Sequence, residues 1–396
     1  MPPTDVVLPF GRPTLGLEEE QALLHAFRAG DLATGSIVRT FEQAFESTFS
    51  LGRAIAVSSG SMANLLAVFV LLETGRLATG DRVAVSGATF LTAAAPVSVA
   101  GLVPVFIDTG PDDVNMSLSA LEAACERYQI AGALIPHALG QPLDLDRLER
   151  IKRRYGVVVI EDCCETLGAT WRARPVGTVG DLATFSFYAG HHLTTAEGGM
   201  IVAANEELHE CAASLRSFGR DVTYAGARFA FPVGARPVMP DERYVYLRLG
   251  FNAKLTDLQA AIGVEQLKRV ETVLRARRAT ARAVCEVLVA HDAKLLGTPL
   301  APGAEPFAIA FVPTRRDSVT LARALEREGI EVRSLLGASL PHQACYDGRA
   351  KIIVESYQNA IELSRRALLI GCPPVVDLAT ATAVLDFALA SAEEPE

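Results

Sequence analysis

Between residues 54 and 162 the chain repeats one pattern: a short run of β-branched and small apolar residues, a turn, then a segment of helical period. The runs are AIAV (54–57), RVAVS (82–86), VPVFID (103–108), GALIP (132–136) and VVVIED (157–162). Between them, SMANLLAVFVLLETG (61–75), residues 117–128 and DLDRLERIKRRYG (144–156) have the length and apolar spacing of helices. Strands joined by helices of this length predict a mostly parallel sheet covered on both faces, an α/β fold.

At 396 residues with 50% hydrophobic content, the chain can bury one large core and a smaller second one. Residues 1–52 read as a Pro-rich arm and an amphipathic helix around 17–28, without a core of their own. A long helical stretch at roughly 255–291 leads to strand FAIAFV (307–312), helix 317–329, strand IEVRSL (330–335) and helices near 356–369 and 377–393. The expected division is 1–254, arm and large domain, and 255–396, linking helix and small C-terminal α/β domain.

A net charge of −9 gives no basic footprint for nucleic acid or an anionic membrane, and a small-molecule enzyme fits better. The seven cysteines (125, 163, 164, 211, 285, 345, 372) show neither CxxC nor metal-type spacing, which argues against a disulfide framework or a metal site. MPPTDVVLPF lacks a signal-peptide pattern, and no apolar run approaches ~18 residues, so a cytosolic protein is expected.

Ligands of such sheets collect at the carboxyl ends of the strands. That edge receives Ser58-Ser59-Gly60-Ser61, then Thr89-Phe90, His137 and Glu161-Asp162. The Ser-Gly-Ser turn before a helix suits a phosphate, or is a plain helix cap. Asp162 is either a cap or salt-bridge residue or the partner of a protonated pyridine nitrogen, and Phe90 either stacks on that ring or is core. The stretch TFSFYAGHHLTTAEGGMI (184–201) reads as strand, exposed loop, strand, with His191 and His192 at the apex. No lysine occurs between Lys152 and Lys254. The histidines are solvated, metal-binding, or acid/base groups of near-neutral pKa.

The loop SFYAGHHLTTAEGG closely resembles the cofactor-lysine loop of sugar aminotransferases of the DegT/DnrJ/EryC1/StrS family, which bind pyridoxal phosphate (PLP). His191 stands where that pattern has lysine. The His-His pair resembles one subgroup, the nucleotide-diphospho-4-keto-6-deoxyhexose 3-dehydratases. SSGSMANLLAV, PHALGQPLDLD, EDCCETLGA, DERYVYLRLGFNAKLTDLQAAIGVEQL and LLIGCPP are similar to other motifs of the subgroup, in order, over roughly residues 10 to 375.

The resemblance implies an aspartate aminotransferase-like, fold type I architecture and a homodimer in deoxysugar biosynthesis. It implies a noncovalent coenzyme acting as pyridoxamine phosphate (PMP), with His191 as general base. Ser59, Gly60, Ser61 and Ser186 would hold the phosphate, Phe90 the ring face, Asp162 the pyridine nitrogen. Glu165 joins the coenzyme contacts, and Asn252 would reach the phosphate of the neighbouring subunit. The substrate would be a nucleotide-diphospho-sugar, with an amino donor such as glutamate restoring PMP. A PLP aminotransferase-like enzyme with noncovalent coenzyme, or a noncatalytic PLP-binding relative, are the alternatives. Two departures stand out. VTYAGARF after Asp221 lacks the clustered cysteines of iron–sulfur members, so no cluster is expected, and Ala196 replaces a glycine.

Overall fold

The computed structural model describes residues 6–221, 231–233, 236–238, 245–337 and 339–391. Its first strands are β1 (Arg53–Val57), β2 (Arg82–Ser86), β3 (Val103–Ile107), β4 (Ile130–Pro136) and β5 (Val158–Asp162). A small ribbon of β6 (Thr170–Trp171) and β7 (Arg174–Pro175) precedes β8 (Leu182–Ser186) and β9 (Gly199–Ala203). There follow a second ribbon, β10 (Phe231–Val233) and β11 (Arg236–Val238), then β12 (Lys294–Leu295), β13 (Ala308–Val312), β14 (Val332–Ser334), β15 (Ile352–Ile353) and β16 (Leu368–Gly371).

The larger sheet runs β1-β9-β8-β5-β4-β2-β3-β15. Only β9 is antiparallel to its neighbours there; every other pairing is parallel. The five apolar runs of the sequence are its β1 to β5. Their side chains have no solvated face: Ile55, Val57, Val85, Val105, Ile107 and Val159 are each at most 1% exposed. The helix Gly60–Glu73 explains one face, because it is apolar around its whole circumference and packs between β8 and the helix Glu206–Arg216.

Alternation along β8 sorts its residues. Phe185 and the following Phe187 join Phe41 and Phe45 of the helix Ser36–Phe49, with ring centroids 5.2–5.8 Å apart. Thr184 and Ser186 face the opposite way, towards the helix Gly60–Glu73. Residues 1–52 thus pack into the large domain rather than forming a separate core: Val38, Phe41 and Phe45 are at most 1% exposed and lie against Phe185, Phe187 and Met200.

The helical stretch near 255–291 is two helices, Asp257–Lys268 and Val270–Ala290, broken at Arg269. The segment near 356–369 is helical only over Asn359–Arg366, and β16 follows at once. β16 is internal to a second, antiparallel sheet, β12-β13-β16-β14. LLIG is short, apolar and fully buried, so sheet pairing overrides its helical neighbourhood. β15 pairs with β3 on the larger sheet. The N-terminal arm threads between the sheets: Leu8 bridges to Ile330, and the Phe10 N–H donates to Glu331 at 2.8 Å. No helix among the described residues is long and apolar enough to cross a membrane.

Candidate active site

The carboxyl edge of the larger sheet, the 187–198 loop and the N-terminal arm enclose a cleft of about 550 Å³. Ser59, Gly60, Ser61, Phe90, Asp162, Glu165, Ser186 and His191 all line it. Asn252 does not; it is exposed and bridges to Ser217.

Ser59 caps the helix Gly60–Glu73, its Oγ accepting from Met62 N–H at 3.2 Å. The N–H groups of that first turn point along the helix axis towards the cleft end, where the dipole favours an anion. Gly60 is required by proximity: a Cβ there would lie 2.6 Å from Ser186 Cβ and 3.1 Å from Cys164 Sγ. The turn and Ser186 therefore close on one another as a cradle of hydroxyls and backbone donors.

Successive residues of β5 point to opposite sides. Glu161 points into the protein, where His137 Nε2 (3.0 Å) and the N–H groups of Gly177, Val179 and Gly180 surround it and hold its pKa below the ordinary value against burial. Asp162 points to the cleft floor, 7% exposed, and accepts from Asn64 Nδ2 at 2.8 Å and Cys164 N–H at 3.0 Å. Asn64 is oriented in turn by Thr184, whose hydroxyl donates to Asn64 Oδ1 at 2.6 Å. Asp162 is thus a fixed acceptor, neither a helix cap nor ion-paired among the described residues. Phe90 is 55% exposed, so it is not core, and its face is available at the cleft. Glu165 accepts from Leu139 N–H at 2.9 Å, and burial lifts its pKa to about 7, with Asp162 adding to the rise.

The expected exposed histidine loop is folded inward. His192 is 1% exposed; its Nε2–H donates to the Glu305 carbonyl at 3.0 Å and its Nδ1 has no partner among the described residues. His191 is half-buried and its Nδ1–H donates to the Cys164 carbonyl at 2.6 Å, which leaves Nε2 as the free, unprotonated nitrogen. Burial pushes its pKa down to about 4, with the Cys164 carbonyl opposing and Arg277 adding to the fall, rather than leaving it near neutral. The ring is therefore a neutral proton acceptor at pH 7. Lys254 is turned away, its ammonium 4.4 Å from the centroid of the Phe218 ring.

Several lining or supporting residues escaped the sequence reading. Asn64 left a signal, a lone amide inside an otherwise apolar helix. Phe10, Phe307, Glu331 and Arg333 left none, because they come from the arm and the second sheet and meet only in the fold. The segment 222–230, on which the iron–sulfur expectation partly rested, lies outside the described residues. The seven cysteines are all free, and the one His/Cys/Asp/Glu group tight enough for a metal among the described residues is His137, Glu161 and Cys163, whose His and Glu bond each other.

The residues present fit a phosphorylated pyridine. The cradle at Gly60 has the hydroxyls and backbone donors that a phosphate requires, Phe90 offers a ring face, and Asp162 lies at the floor.

The chain is 32% identical over 407 residues to the lipopolysaccharide biosynthesis protein RfbH of Salmonella typhimurium, covering 99% of this chain and 92% of that protein. It is 33% identical over 374 residues to the dTDP-4-dehydro-2,6-dideoxy-D-glucose 3-dehydratase of Saccharopolyspora spinosa, covering 90% and 80%. Among solved structures, Escherichia coli GDP-4-keto-6-deoxy-D-mannose-3-dehydratase with bound hydrated PLP superposes with a TM-score of 0.87 at 24% identity, over 96% of this chain and 100% of that one. The architecture is the PLP aminotransferase-like α/β fold expected from the sequence, and PLP or PMP is the coenzyme of that family. Residues 13–387 match the DegT/DnrJ/EryC1/StrS aminotransferase family, and the chain belongs to it.

Proposed function

We propose that the protein is a PMP/PLP-dependent lyase that removes the C3 hydroxyl of a nucleotide-linked 4-keto-6-deoxyhexose in deoxysugar biosynthesis. The observation that carries this reading is His191. It stands in place of a coenzyme lysine, lines the cleft beside Asp162, and keeps one unprotonated nitrogen. Relatives that act on nucleotide sugars, including the Saccharopolyspora spinosa 3-dehydratase, support it.

When bound, the coenzyme would supply an electron sink into which a carbon–hydrogen bond next to its ring can ionise. The chain's own groups do the rest. Ser59, Gly60, Ser61 and Ser186 hold the phosphate, and Phe90 covers the ring. Asp162, held by Asn64 and Cys164 N–H, keeps the pyridine nitrogen protonated. His191 Nε2 takes the proton, and the resulting imidazolium can return it to the departing hydroxide. Glu165 completes the coenzyme contacts. No step is assigned to an iron–sulfur cluster, since the cysteines provide no clustered donors. Glutamate would regenerate the amine form, and Asn252, exposed outside the cleft, would serve the partner's site in a cytosolic homodimer.

A GDP-perosamine synthase of Caulobacter vibrioides is also similar, 35% identical over 246 residues, 62% of this chain and 60% of that protein. Aminotransfer is thus the second reading, and it has to explain a cleft lined by no lysine among the described residues. Incubating the pure protein with PMP and a panel of nucleotide 4-keto-6-deoxyhexoses, with and without glutamate, and following product mass decides between them. A 3-deoxy ketosugar, lighter than the substrate by one oxygen atom, supports dehydration; an amino sugar as sole product refutes it.

A further inference from the structure

Arg277, on the helix Val270–Ala290, is 0% exposed. A buried guanidinium ordinarily needs a carboxylate, because removing a cation from water is costly. This one has none among the described residues. Its Nη1 donates to the Cys372 carbonyl at 3.2 Å, and its Nη2 to the carbonyls of Gly190 (2.7 Å) and His191 (2.8 Å). Nε has no partner. The guanidinium carbon lies 6.0 Å from the Phe307 ring centroid, and that ring is 4.9 Å from the His191 ring.

The fork joins two parts of the chain that share no strand pairing: the histidine loop after β8 and the turn after β16. It grips two consecutive carbonyls, and fixing both sets the peptide from which the His191 side chain leaves. The ring is then pinned at its other end by Nδ1–H to Cys164. An uncompensated buried cation is a poor means of stabilisation, so its placement calls for another account.

We propose that Arg277 is a positioning residue for His191: its guanidinium holds the Gly190 and His191 carbonyls so that the imidazole presents Nε2 to the cleft in one tautomer. The inference rests on the proposed function only in taking His191 as the base; the positioning itself is independent of substrate. The charged and titratable groups that line the cleft with the imidazole are His137, Asp162, Cys164 and Glu165 from the sheet edge, Tyr188 and Glu197 from its own loop, and Glu331 and Arg333 at β14; His192 follows it in the chain and Arg277 holds its carbonyl.

The test uses coenzyme-free full-length protein with isotope-labelled histidine, the His191 signals being assigned by their loss in His191→Asn. Imidazole nitrogen shifts report tautomer and titration without any turnover. Arg277→Lys keeps the charge and loses the fork; Arg277→Met loses both. In the wild type, His191 should remain neutral and Nδ1-protonated from pH 8 to 5. Arg277→Met should mix the tautomers and move the titration up towards the free-histidine value of ~6.5. Arg277→Lys should mix the tautomers while the titration stays low. Where dehydration is measurable, both variants should lose kcat by at least ~10-fold with KM changed less than twofold, a loss of orientation rather than of binding. Should Arg277→Met not fold, Arg277→Lys decides alone. Unchanged tautomer and titration in the folded variants overturn the proposal. Shifted signals in a protein that never dehydrates a sugar would instead refute the proposed function and leave the positioning role standing.

Discussion

The two walls of the cleft are made differently. On the sheet-edge wall four polar side chains are tied by bonds to the chain: Ser59 to Met62 N–H, Asp162 to Asn64 and Cys164, Ser186 to Tyr188 N–H, His191 to Cys164, all at 2.6–3.3 Å. The opposite wall, Phe10, Phe307, Glu331 and Arg333, comes from three separate stretches of chain. Glu331 is held by Phe10 N–H at 2.8 Å, but its ion pair with Arg333 is loose, 3.5 Å, with side chains 52% (Arg333) and 37% (Glu331) exposed. Such pairs contribute ~1 kcal/mol or less. A tied wall suits a coenzyme that never changes, because preorganised groups cost no reorganisation. A loose wall can re-pair around substrates.

The largest expected effect falls on the tied wall. His191→Asn should still bind PMP, whose phosphate and ring contacts lie elsewhere, yet lose dehydration by at least ~100-fold, the usual weight of a positioned acid/base. Coenzyme retention is read by absorbance after gel filtration and turnover by product mass. Wild-type turnover would make His192 the next suspect, although His192 is spent on the Glu305 carbonyl. A companion measurement is borohydride reduction of the PLP-loaded wild type followed by peptide mapping. No pyridoxyl-lysine should appear, and a stoichiometric adduct on Lys254 would sink the noncovalent reading.

The next effect is on stability. Glu165 has a folded pKa raised to about 7 from 4.5, so the fold binds a proton that the unfolded chain has already lost. Stability from this group is present below about 4.5, declines as pH rises, and is gone above about 7. Glu165→Gln removes the penalty. At pH 8 the coenzyme-free variant should be more stable than wild type by about 1–2 kcal/mol, a figure discounted for partial solvent access, and at pH 4 the two should converge. Glu305, also raised to about 7, acts with the same sign in both proteins and cancels in the difference. Urea unfolding at the two pH values measures it; an equal gap at both would show that Glu165 does not titrate as its burial demands.

The loose wall gives a smaller effect of another kind. Arg333→Met removes the one cation lining the cleft among the described residues, and should raise KM for a nucleotide sugar about tenfold with kcat nearly unchanged, the pattern of uniform binding loss. A kcat loss as large as that of His191→Asn would erase the contrast between the walls.

The same contrast governs what could be read from the sequence. The five apolar runs gave the sheet, because fully buried parallel strands leave continuous β-branched stretches. SFYAGHH, EDCCE and SSGS are local, and each local motif ends on the tied wall. The pairings across it were not legible: nothing in EDCC says that Glu161 turns inward to His137 while Asp162 turns outward to Asn64. The helix Ser36–Phe49 was missed although Phe41 and Phe45 lie four apart, and β16 was absorbed into a helix since LLIG has no period of its own. The inward folding of His192 was equally hidden, for it depends on a carbonyl 113 residues away. The loose wall is wholly tertiary.

Ala196 supplies the smallest effect and the finest test of the tied wall. Its φ is +69°, a left-handed conformation that costs a residue with a Cβ ~1 kcal/mol, and it is exposed, so no packing contact offsets the cost. Thr194 Oγ1 accepts the Ala196 N–H at 3.0 Å and holds the turn in that state. Ala196→Gly relieves the strain but gives the unfolded chain more freedom, worth ~0.4–1 kcal/mol in the other direction. A net gain of a few tenths of a kcal/mol is expected, seen as a higher urea midpoint at constant m. Gly199→Ala, three residues on, should do the reverse and by more. Its Cβ would sit 2.5 Å from the Ser59 carbonyl carbon and 2.7 Å from Gly60 N, so the phosphate turn must move. That variant should weaken phosphate-dependent PMP binding as well as stability, whereas Ala196→Gly leaves binding alone. If both substitutions change PMP affinity equally, the loop and the phosphate turn move as one body, and the tie between them is stronger than the bonds named above.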